Sequence, residues 1–519
     1  MMKMLSLHDF DGPAFGDVAA VGLLSHTMHY CNYNKLQDEN QPFYKYLRNY
    51  PEVSLMQDIS ATRDSMRTVS ANELFLPVHD SASKKIASIW REKGLSEAIR
   101  FAAAADPQEI TTVIHWIATK LKKVLDLMDR GIYHRDLLPI SGDGSVADIV
   151  ATRDWNTSLV RCMSWHPYCY RLAVATRDDR IRIFSPVSTN ANWTSLILPI
   201  PILRHSEQKS VCCLSWRPNS GRELAVACYY GVLVWTIELG AASNLLSHAV
   251  LLKQRNHAPV TSATWHPQGD LLASCSPTDL NIIIWDVSKE EGVPLRRVGG
   301  GGICFTRWSS CGSRLFSASC GNVFRVWNTG ISKPWYADKW TVPNGRVAVA
   351  CFGPNLTLLF ATTEDPATVF SLPLQDNIFE DKKANNNDVK IATRLIDLTK
   401  VNFSSDDNDD YITVGGRIVS MEWNSIGQYL AIIFQDSPVI ALFKTSINKI
   451  SRIVEVQPSC LIKGFPVEVP NCINFHQKDS PCICLTIAWS SGRIQHFPIV
   501  EDHDKLYSVT SIYSNKRIV

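Results

Sequence analysis

The sequence predicts an all-β fold, a seven-bladed β-propeller that follows an N-terminal helical segment. Three observations predict this fold. Seven segments share one pattern of turns and aromatic residues, the spacing within that pattern is nearly constant, and an apolar stripe with helical spacing precedes the first copy. Each observation is taken in turn below.

The repeat consists of an aromatic residue beside a Pro or Gly turn, a short apolar strand, and a second strand that ends in another aromatic residue. The third copy, "SATWHPQGDLLASCSPTDLNIIIWD", shows it most clearly. The paired aromatics are Trp165 and Phe184, Trp216 and Trp235, Trp265 and Trp285, Trp308 and Trp327, Phe352 and Phe370, Trp423 and Phe443, and Phe475 and Phe497. The members of these pairs lie 19, 19, 20, 19, 18, 20 and 22 residues apart. So regular a spacing predicts seven copies of one structural unit.

The distance between copies matches the length of a propeller blade. Successive first aromatics are separated by 51, 49, 43, 44, 71 and 52 residues, and a four-stranded blade takes about 40–45. We therefore place the propeller at 145–500 and a C-terminal tail at 501–519. The 71-residue interval contains residues 374–416, which are rich in Asp and Asn. We expect these to form a long, exposed and partly disordered insertion between the fifth and sixth blades.

The chain before the propeller is predicted to be helical over residues 81–135, after a partly irregular extension at 1–80. Asp106 and the following Pro-Gln-Glu resemble a helix start, and apolar residues then recur at helical spacing from Ile110 to Met128. Two interpretations stay open: a helical cap packed on the propeller, and a helix that binds a partner. The cap is favoured, because an apolar stripe usually buries itself.

The composition is that of an ordinary globular protein. Hydrophobic residues make up 45% of the chain and charged residues 20%, with a net charge of +2. Such a balance provides no bulk field to attract nucleic acid or anionic lipid. No run of 18 apolar residues occurs, so we expect no membrane span. The fifteen Cys include no Cys-x-x-Cys pair, which predicts reduced core thiols with no zinc, no other metal and no cofactor.

Each copy resembles a WD40 repeat. In that family, a His before the first strand, a Ser or Thr on the second, an Asp in the following turn and a strand-end Trp form a hydrogen-bonded set. By this resemblance the third blade carries a structural tetrad of His257, Ser274, Asp279 and Trp285. A buried indole N–H needs such a partner. The first and the fifth to seventh copies lack the strand-end Trp, and we expect these blades to depend more on packing.

Three motifs with a catalytic appearance are interpreted as coincidences. "HRDL" at 134–137 resembles a kinase catalytic loop, but Ser141 stands where that loop has Asn, and no Asp-Phe-Gly follows. His257, Ser274 and Asp279 lack a nucleophile elbow. "VGGGGICF" at 298–305 lacks the Lys-Ser/Thr of a phosphate-binding loop, and we interpret it as a tight turn. The sequence therefore predicts no enzyme and no catalytic residue.

A closer resemblance follows from the order of elements and from three segments, "HAPVTSATWHPQGDLLASCSP", "RWSSCGSRLFSAS" and "WSSGRIQHFPI". Together they resemble the aladin family of WD-repeat nucleoporins over most of residues 80–500. The resemblance implies a non-enzymatic scaffold of the nuclear pore complex, held at the nuclear envelope by a transmembrane nucleoporin. It further implies other nucleoporins as partners, support of nuclear protein import, and a role at the mitotic spindle alongside a cytoplasmic pool. We expect no direct nucleic-acid partner, no membrane insertion and no homo-oligomer.

Two rival functions remain at this stage. A ubiquitin-ligase substrate receptor would need a basic rim patch, for which "TRDDRIR" offers Arg177, Arg180 and Arg182. A propeller enzyme would need metal ligands or paired carboxylates in the central channel, and the repeats show no such pattern. The sequence does not indicate which residues bind a partner.

Overall fold

The protein was analysed as a computed structural model. The structure describes residues 4–32, 43–53, 55, 86, 99, 102–103, 116–122, 146, 149–150, 153, 155, 158–186, 202–237, 247–296, 301–330, 335–374, 391–404, 411–448, 453–476 and 482–501. The chain forms two compact units. One combines Met1–Gln57 with Leu138–Val519, and the other is Asp58–Leu137. Each unit is described by itself.

The first unit begins with short elements, and their strands belong to sheets formed mainly by later parts of the chain. They are β1 (Leu5–Ser6), a 3₁₀ helix (Leu7–Asp9), β2 (Val18–Leu24), β3 (Thr27–Asn32) and helix α1 (Tyr44–Leu47). We call residues 4–32 and 43–53 the N-terminal strap, because its parts lie against several blades.

The first four blades are four-stranded antiparallel sheets that follow one another along the chain. Blade one comprises β4 (Val160–Trp165), β5 (Leu172–Thr176), β6 (Ile181–Phe184) and β7 (Ile202–Leu203). Blade two comprises β8 (Cys213–Trp216), β9 (Glu223–Cys228), β10 (Gly231–Ile237) and β11 (Ser247–Leu252). Blade three comprises β12 (Ser262–Trp265), β13 (Leu272–Cys275), β14 (Asn281–Asp286) and β15 (Glu291–Arg296). Blade four comprises β16 (Ile303–Trp308), β17 (Arg314–Ser319), β18 (Val323–Asn328) and β19 (Tyr336–Thr341).

The last three blades complete the ring, and the predicted seven-bladed propeller is confirmed. Blade five comprises β20 (Val347–Phe352), a 3₁₀ turn (Pro354–Leu356), β21 (Thr357–Thr362), β22 (Thr368–Pro373) and β23 (Thr393–Asp397). A separate hairpin, β24 (Val401–Ser404) and β25 (Tyr411–Val414), follows it. Blade six comprises β26 (Ile418–Trp423), β27 (Tyr429–Phe434), β28 (Val439–Ile447) and β29 (Val454–Lys463). Blade seven comprises β30 (Pro470–Phe475), β31 (Ile483–Trp489) and β32 (Ile494–Val500).

The strands of the N-terminal strap complete two of these blades. In blade seven, β2 pairs in parallel with β32, with Leu23 opposite Ile499 and Leu24 opposite Val500, and β3 forms the outer edge. In blade five, β1 pairs in parallel with β23. From the sequence, residues 1–80 are predicted to lie outside the propeller, and the pairings of β1 and β2 correct that prediction. Each parallel pairing spans only two residue pairs, which is too short to leave a periodic pattern in the sequence. The strands that pair with β1 and β2 could therefore not be predicted.

The segment at 374–416 also differs from the expectation of one exposed insertion. Strand β23 lies inside it and is the fourth strand of blade five, paired antiparallel with β22. Its sequence, "TRLID", is short and half polar, as suits a strand next to the outer edge of a blade. Residues 375–390 and 405–410 lie outside the described residues.

Neighbouring blades are linked by the first aromatic residue of the repeat. The indole N–H of Trp216, Trp265 and Trp308 donates to a backbone carbonyl of the preceding blade, on Ser164, Ser215 and Thr264 respectively, over 3.1–3.2 Å. The rings of Trp216 and Trp265 are buried and that of Trp308 is partly buried, and each indole N–H finds its acceptor in the neighbouring blade.

The N-terminal strap packs where those links are absent. Leu7 and Phe10 are buried between blades five and six, and the ring of Phe10 meets that of Phe443 edge to face at 5.1 Å. Leu23 is buried with side chains of blades six and seven. The ammonium group of Lys463 donates to the carbonyl oxygens of Ala14 and Gly16. These parts of the strap therefore contact blades five, six and seven.

In the second unit, residues 116–122 are helical. Ala118 is buried against Ala102, whereas Trp116, Ile117 and Leu121 are exposed. Much of the predicted helical segment, and the "HRDL" motif, lie outside the described residues. No helix in the described part of the chain is both long and apolar enough to span a membrane.

The first prediction tests the place of the strap in blade seven. Leu23 is 2% exposed, so Leu23→Ala should leave a cavity and lower the free energy of unfolding by about 2–5 kcal/mol. Thermal denaturation measures this loss. Met4→Ala is the matched control, since Met4 is 38% exposed and its truncation should change stability by less than about 0.5 kcal/mol. Equal melting temperatures for the two variants would show that β2 is not part of the blade.

Candidate functional site

The four residues of the predicted tetrad lie together in blade three. Trp285 Nε1 donates to Ser274 Oγ over 2.8 Å. His257 Nε2 lies 2.9 Å from the same Ser274 oxygen, and His257 Nδ1 lies 2.8 Å from Asp279 Oδ2. The structure therefore joins all four in one chain of hydrogen bonds, from the strand-end indole to the carboxylate in the turn.

This chain is closed to a substrate. Ser274 is fully buried, and its hydroxyl already contacts both the indole N–H and the imidazole. The second oxygen of Asp279 accepts hydrogen bonds from the backbone and side-chain amides of Asn281. With every polar atom engaged and no route to the serine oxygen, the arrangement stabilises the blade and cannot act as a hydrolase triad.

The glycine run at 298–305 also has a packing explanation. Gly302 lies so close to the preceding turn that a Cβ there would be 1.6 Å from the carbonyl oxygen of Pro277. Gly302 is followed directly by β16, not by a helix. The described end of the run therefore provides no helix N-terminus for a phosphate, whereas residues 298–300 lie outside the described residues.

The strand-end Trp residues of blades two and four also donate their indole N–H within their own part of the ring. The strand-end Trp327 of blade four donates to Ser317 Oγ over 3.1 Å, as in the tetrad. In blade two, Trp235 donates instead to Gln208 Oε1 over 3.0 Å. Gln208 precedes the blade and carries no repeat signal, so sequence reasoning missed it.

Blade one replaces the tetrad with a buried ion pair. Arg182 is 4% exposed and its Nη2 lies 2.9 Å from Asp178 Oδ2. Thr176 also bonds both residues. Burial alone would raise the pKa of Asp178, but the hydrogen bonds from Arg182 and Thr176 outweigh it and hold that pKa below its usual value. The expectation that this blade depends mainly on packing therefore needs correction, because a polar core takes the place of the missing Trp.

The ring closes between blades seven and one through a second chain of hydrogen bonds, which we call the closure chain. Trp165 Nε1 donates to Thr486 Oγ1 over 3.1 Å, and Thr486 Oγ1 lies 3.1 Å from His496 Nδ1. His496 Nε2 lies 2.9 Å from the carbonyl oxygen of Pro51. A neutral imidazole fits this chain, with Nε2–H donating to Pro51 and Nδ1 accepting from Thr486.

Tyr50 of the N-terminal strap covers the closure chain. Its hydroxyl lies 2.9 Å from His476 Nδ1, and its ring contacts those of Trp165, Tyr170 and His496. Burial lowers the pKa of His496 to about 4. The junction of the first and last blades is thus an aromatic cluster held by the strap.

A cavity of about 350 Å³ lies at the centre of the ring. First strands of all seven blades line it, and Ile149 and Val150 contribute from the segment before blade one. Its charged residues include Arg161, Arg307 and Glu422. Burial raises the pKa of Glu422, and Arg307 partly offsets that effect. Among the residues that the structure describes, no three His, Cys, Asp or Glu side chains form a metal-binding cluster.

The model of the Aladin seven-bladed propeller matches this chain over residues 141–500, a span that includes strands β4 to β32. The chain belongs to the Aladin propeller family. The match covers all seven blades, whereas the strap strands that complete blades five and seven lie before it.

Individual relatives of this Aladin-family chain are distant. Aladin of Arabidopsis thaliana is 25% identical over 327 residues, covering 58% of this chain and 68% of the relative. The WD repeat and HMG-box DNA-binding protein 1 is 26% identical over 177 residues in Homo sapiens and 27% identical over 161 in Mus musculus. Those matches cover 32% and 30% of this chain and only 14% and 13% of the two relatives.

Among solved structures, the Cps50 (Swd1) β-propeller domain of Myceliophteria thermophila aligns with a TM-score of 0.43 at 16% identity. The alignment covers 65% of the Aladin-family chain and 96% of that domain. A likeness at this level carries no information about function.

One prediction tests the tetrad of the Aladin-family ring. Trp285→Ala should remove a buried indole and leave Ser274 without its donor, lowering the free energy of unfolding by about 3–5 kcal/mol. Trp285→Phe is the matched control, because it keeps an aromatic ring in most of the space and loses the hydrogen bond, and should cost less, about 1–2 kcal/mol. Denaturant unfolding separates the two. A soluble Trp285→Ala protein with unchanged stability would contradict the buried placement of this residue.

Another prediction concerns pH. His496 has a pKa of about 4 in the folded protein against an ordinary 6.5, so the unfolded chain takes up the proton first as pH falls. The stability from neutral His496 is therefore complete above about pH 6.5 and is lost towards pH 4, by roughly 3 kcal/mol. Unfolding of wild type and His496→Gln at several pH values measures the difference, in which other groups cancel. Parallel stability curves for the two proteins would exclude this role of His496.

Proposed function

We propose that this chain is a non-enzymatic scaffold and adaptor nucleoporin of the nuclear pore complex. The observation that carries the proposal is the membership of the Aladin propeller family over residues 141–500. The relative from Arabidopsis thaliana, which bears the name Aladin, supports it. Fold alone would not suffice, since propellers carry many functions.

The internal use of polar residues favours a scaffold over an enzyme. His257 and Asp279 bond within blade three, Asp178 and Arg182 within blade one, and Glu468 and Arg493 within blade seven. Each of these groups has the chemistry of an acid, a base or an ion-binding residue, and each is satisfied by a neighbour in its own blade. Residues engaged in this way maintain a rigid ring on which other proteins can assemble.

In this proposal a transmembrane nucleoporin tethers the protein at the nuclear envelope, and other nucleoporins bind it there. The protein supports import of proteins into the nucleus, takes part at the mitotic spindle, and also occurs in the cytoplasm. It binds no nucleic acid directly, inserts into no membrane and forms no homo-oligomer. The net charge of +2 supports the absence of a bulk attraction to nucleic acid or anionic lipid.

The rival function as a ubiquitin-ligase substrate receptor loses its main support. Of the three arginines that would form a basic rim patch, Arg182 is buried against Asp178, and Arg180 Nε lies 3.7 Å from the same carboxylate. Arg177 is exposed. Two of the three arginines therefore interact with Asp178 inside blade one, which leaves only Arg177 exposed for binding an acidic peptide.

Proximity labelling by the full chain in intact cells tests the proposal. Nucleoporins, including a transmembrane one, should dominate the labelled proteins, and a fluorescent fusion should mark the nuclear rim. Enrichment of ubiquitin-ligase subunits would favour the rival. Enrichment of neither group, with fluorescence spread through the cytosol, would contradict both.

A further prediction separates tethering by protein from attachment by lipid. Ending the chain before Pro470 removes β30–β32, so blade seven and the closure chain are lost, and rim fluorescence should disappear. Replacing Lys120, Lys122 and Lys123 by Gln should leave the protein at the rim, because three lysines are too few for stable anchoring. Detachment of the Gln variant would indicate that this helix binds lipid directly.

A further inference from the structure

Two cysteines of blade four face each other. Cys304 lies in β16 and Cys320 in the turn after β17, and their sulfur atoms are 3.2 Å apart. The turn is fixed beside the strand, because the amide of Cys320 donates to the carbonyl oxygen of Gly302 over 2.7 Å. A disulfide has an S–S distance of about 2.05 Å, so the two sulfurs need to approach by little more than an ångström.

Both sulfurs lie where a small oxidant can reach the pair. Cys304 is buried within the protein but lines the central cavity. Cys320 is partly exposed on the surface of the same blade. A molecule as small as hydrogen peroxide can therefore approach from the cavity or from the outer side of the turn.

The surroundings make the two thiols unequal. Arg346 Nη1 lies 3.6 Å from Cys304 Sγ. The hydrogen bond shared with Cys320 lowers the pKa of Cys304, and Arg346 lowers it further, while burial opposes both. The same pairing raises the pKa of Cys320. The lower pKa of Cys304 and the raised pKa of Cys320 favour attack by the sulfur of Cys304 and resolution by that of Cys320.

Other cysteines in the described chain lack this combination. Cys212 and Cys213 are adjacent along an extended segment, so their side chains point to opposite sides. Burial raises the pKa of Cys228 to about 11 and that of Cys472 to about 12. Cys311 is exposed, but its sulfur contacts the hydroxyls of Ser309 and Ser313.

We propose that Cys304 and Cys320 form a redox-active dithiol site that closes reversibly to a disulfide when the protein meets a peroxide. The Cys304 thiolate attacks one oxygen of hydrogen peroxide, the O–O bond breaks, and the departing hydroxide takes up a proton to become water. Cys304 is then a sulfenic acid. The sulfur of Cys320 attacks the sulfur of Cys304, the S–O bond breaks, and hydroxide leaves with the Cys320 proton as a second water. Two thiols are oxidised by two electrons in total, and one peroxide is reduced to two waters.

The test uses the reduced full chain, treated briefly with an equimolar amount of hydrogen peroxide, denatured, alkylated and digested. Mass spectrometry should find a peptide linked through Cys304 and Cys320, and the number of alkylated thiols should fall by two. Dithiothreitol should restore both. The wild-type map is decisive without any variant: complete alkylation of Cys304 and Cys320, while exposed Cys169 or Cys311 is oxidised, overturns the proposal.

Variants assign the roles of the two sulfurs. In Cys320→Ser, dimedone should trap a sulfenic acid at Cys304, and no linked peptide should form. Cys311→Ser is the matched control and should give the same linked peptide as wild type. Loss of the 304–320 link in Cys311→Ser would show that oxidation passes through Cys311, and dimedone trapped at Cys311 alone in Cys320→Ser would show that Cys304 is not the attacking sulfur. Either result contradicts the proposed site.

Discussion

The indole N–H of a first-strand Trp, donated to the neighbouring blade, is the contact on which this ring depends. Trp165 reaches blade seven, and Trp216, Trp265 and Trp308 reach blades one, two and three. The series stops at blade four. In blade six, Trp423 donates within its own blade to Thr445, and its ring lies so close to blade five that a Cβ on Gly353 would be 2.2 Å from it. In the part of the chain that the structure describes, blades five to seven are therefore joined by packing, and no indole hydrogen bond of this type links them.

The N-terminal strap lies against the part of the ring that lacks those links. Strand β1 extends blade five, Phe10 packs against Phe443 of blade six, and β2 and β3 extend blade seven. Tyr50 then covers the closure chain, where His496 and Thr486 meet Trp165. A closed propeller leaves few strand edges exposed, and here a segment outside the seven repeats completes the closure.

The sequence predicted those features that repeat and missed those that occur once. Regular spacing of aromatics revealed the seven blades, and resemblance to WD40 repeats located His257, Ser274, Asp279 and Trp285, which the structure joins by hydrogen bonds. Periodicity reports which side of a strand is buried, not which distant strand it meets. The parallel pairing of β2 with β32 spans two residue pairs, and the closure chain combines residues from both ends of the chain, so neither could be predicted. "TRDDRIR" was noticed for its charge, but only the structure shows Arg182 buried on Asp178.

We expect the strap to stabilise blades five to seven, where no inter-blade indole hydrogen bond is described. Native-state hydrogen exchange, followed by mass spectrometry in wild type and Phe10→Ala, tests it most directly, because exchange reports local opening blade by blade. We expect amides in β20–β32 to exchange faster in Phe10→Ala than in wild type, with little change in β8–β18. An equal increase in every blade, or an increase confined to blades two and three, would contradict it.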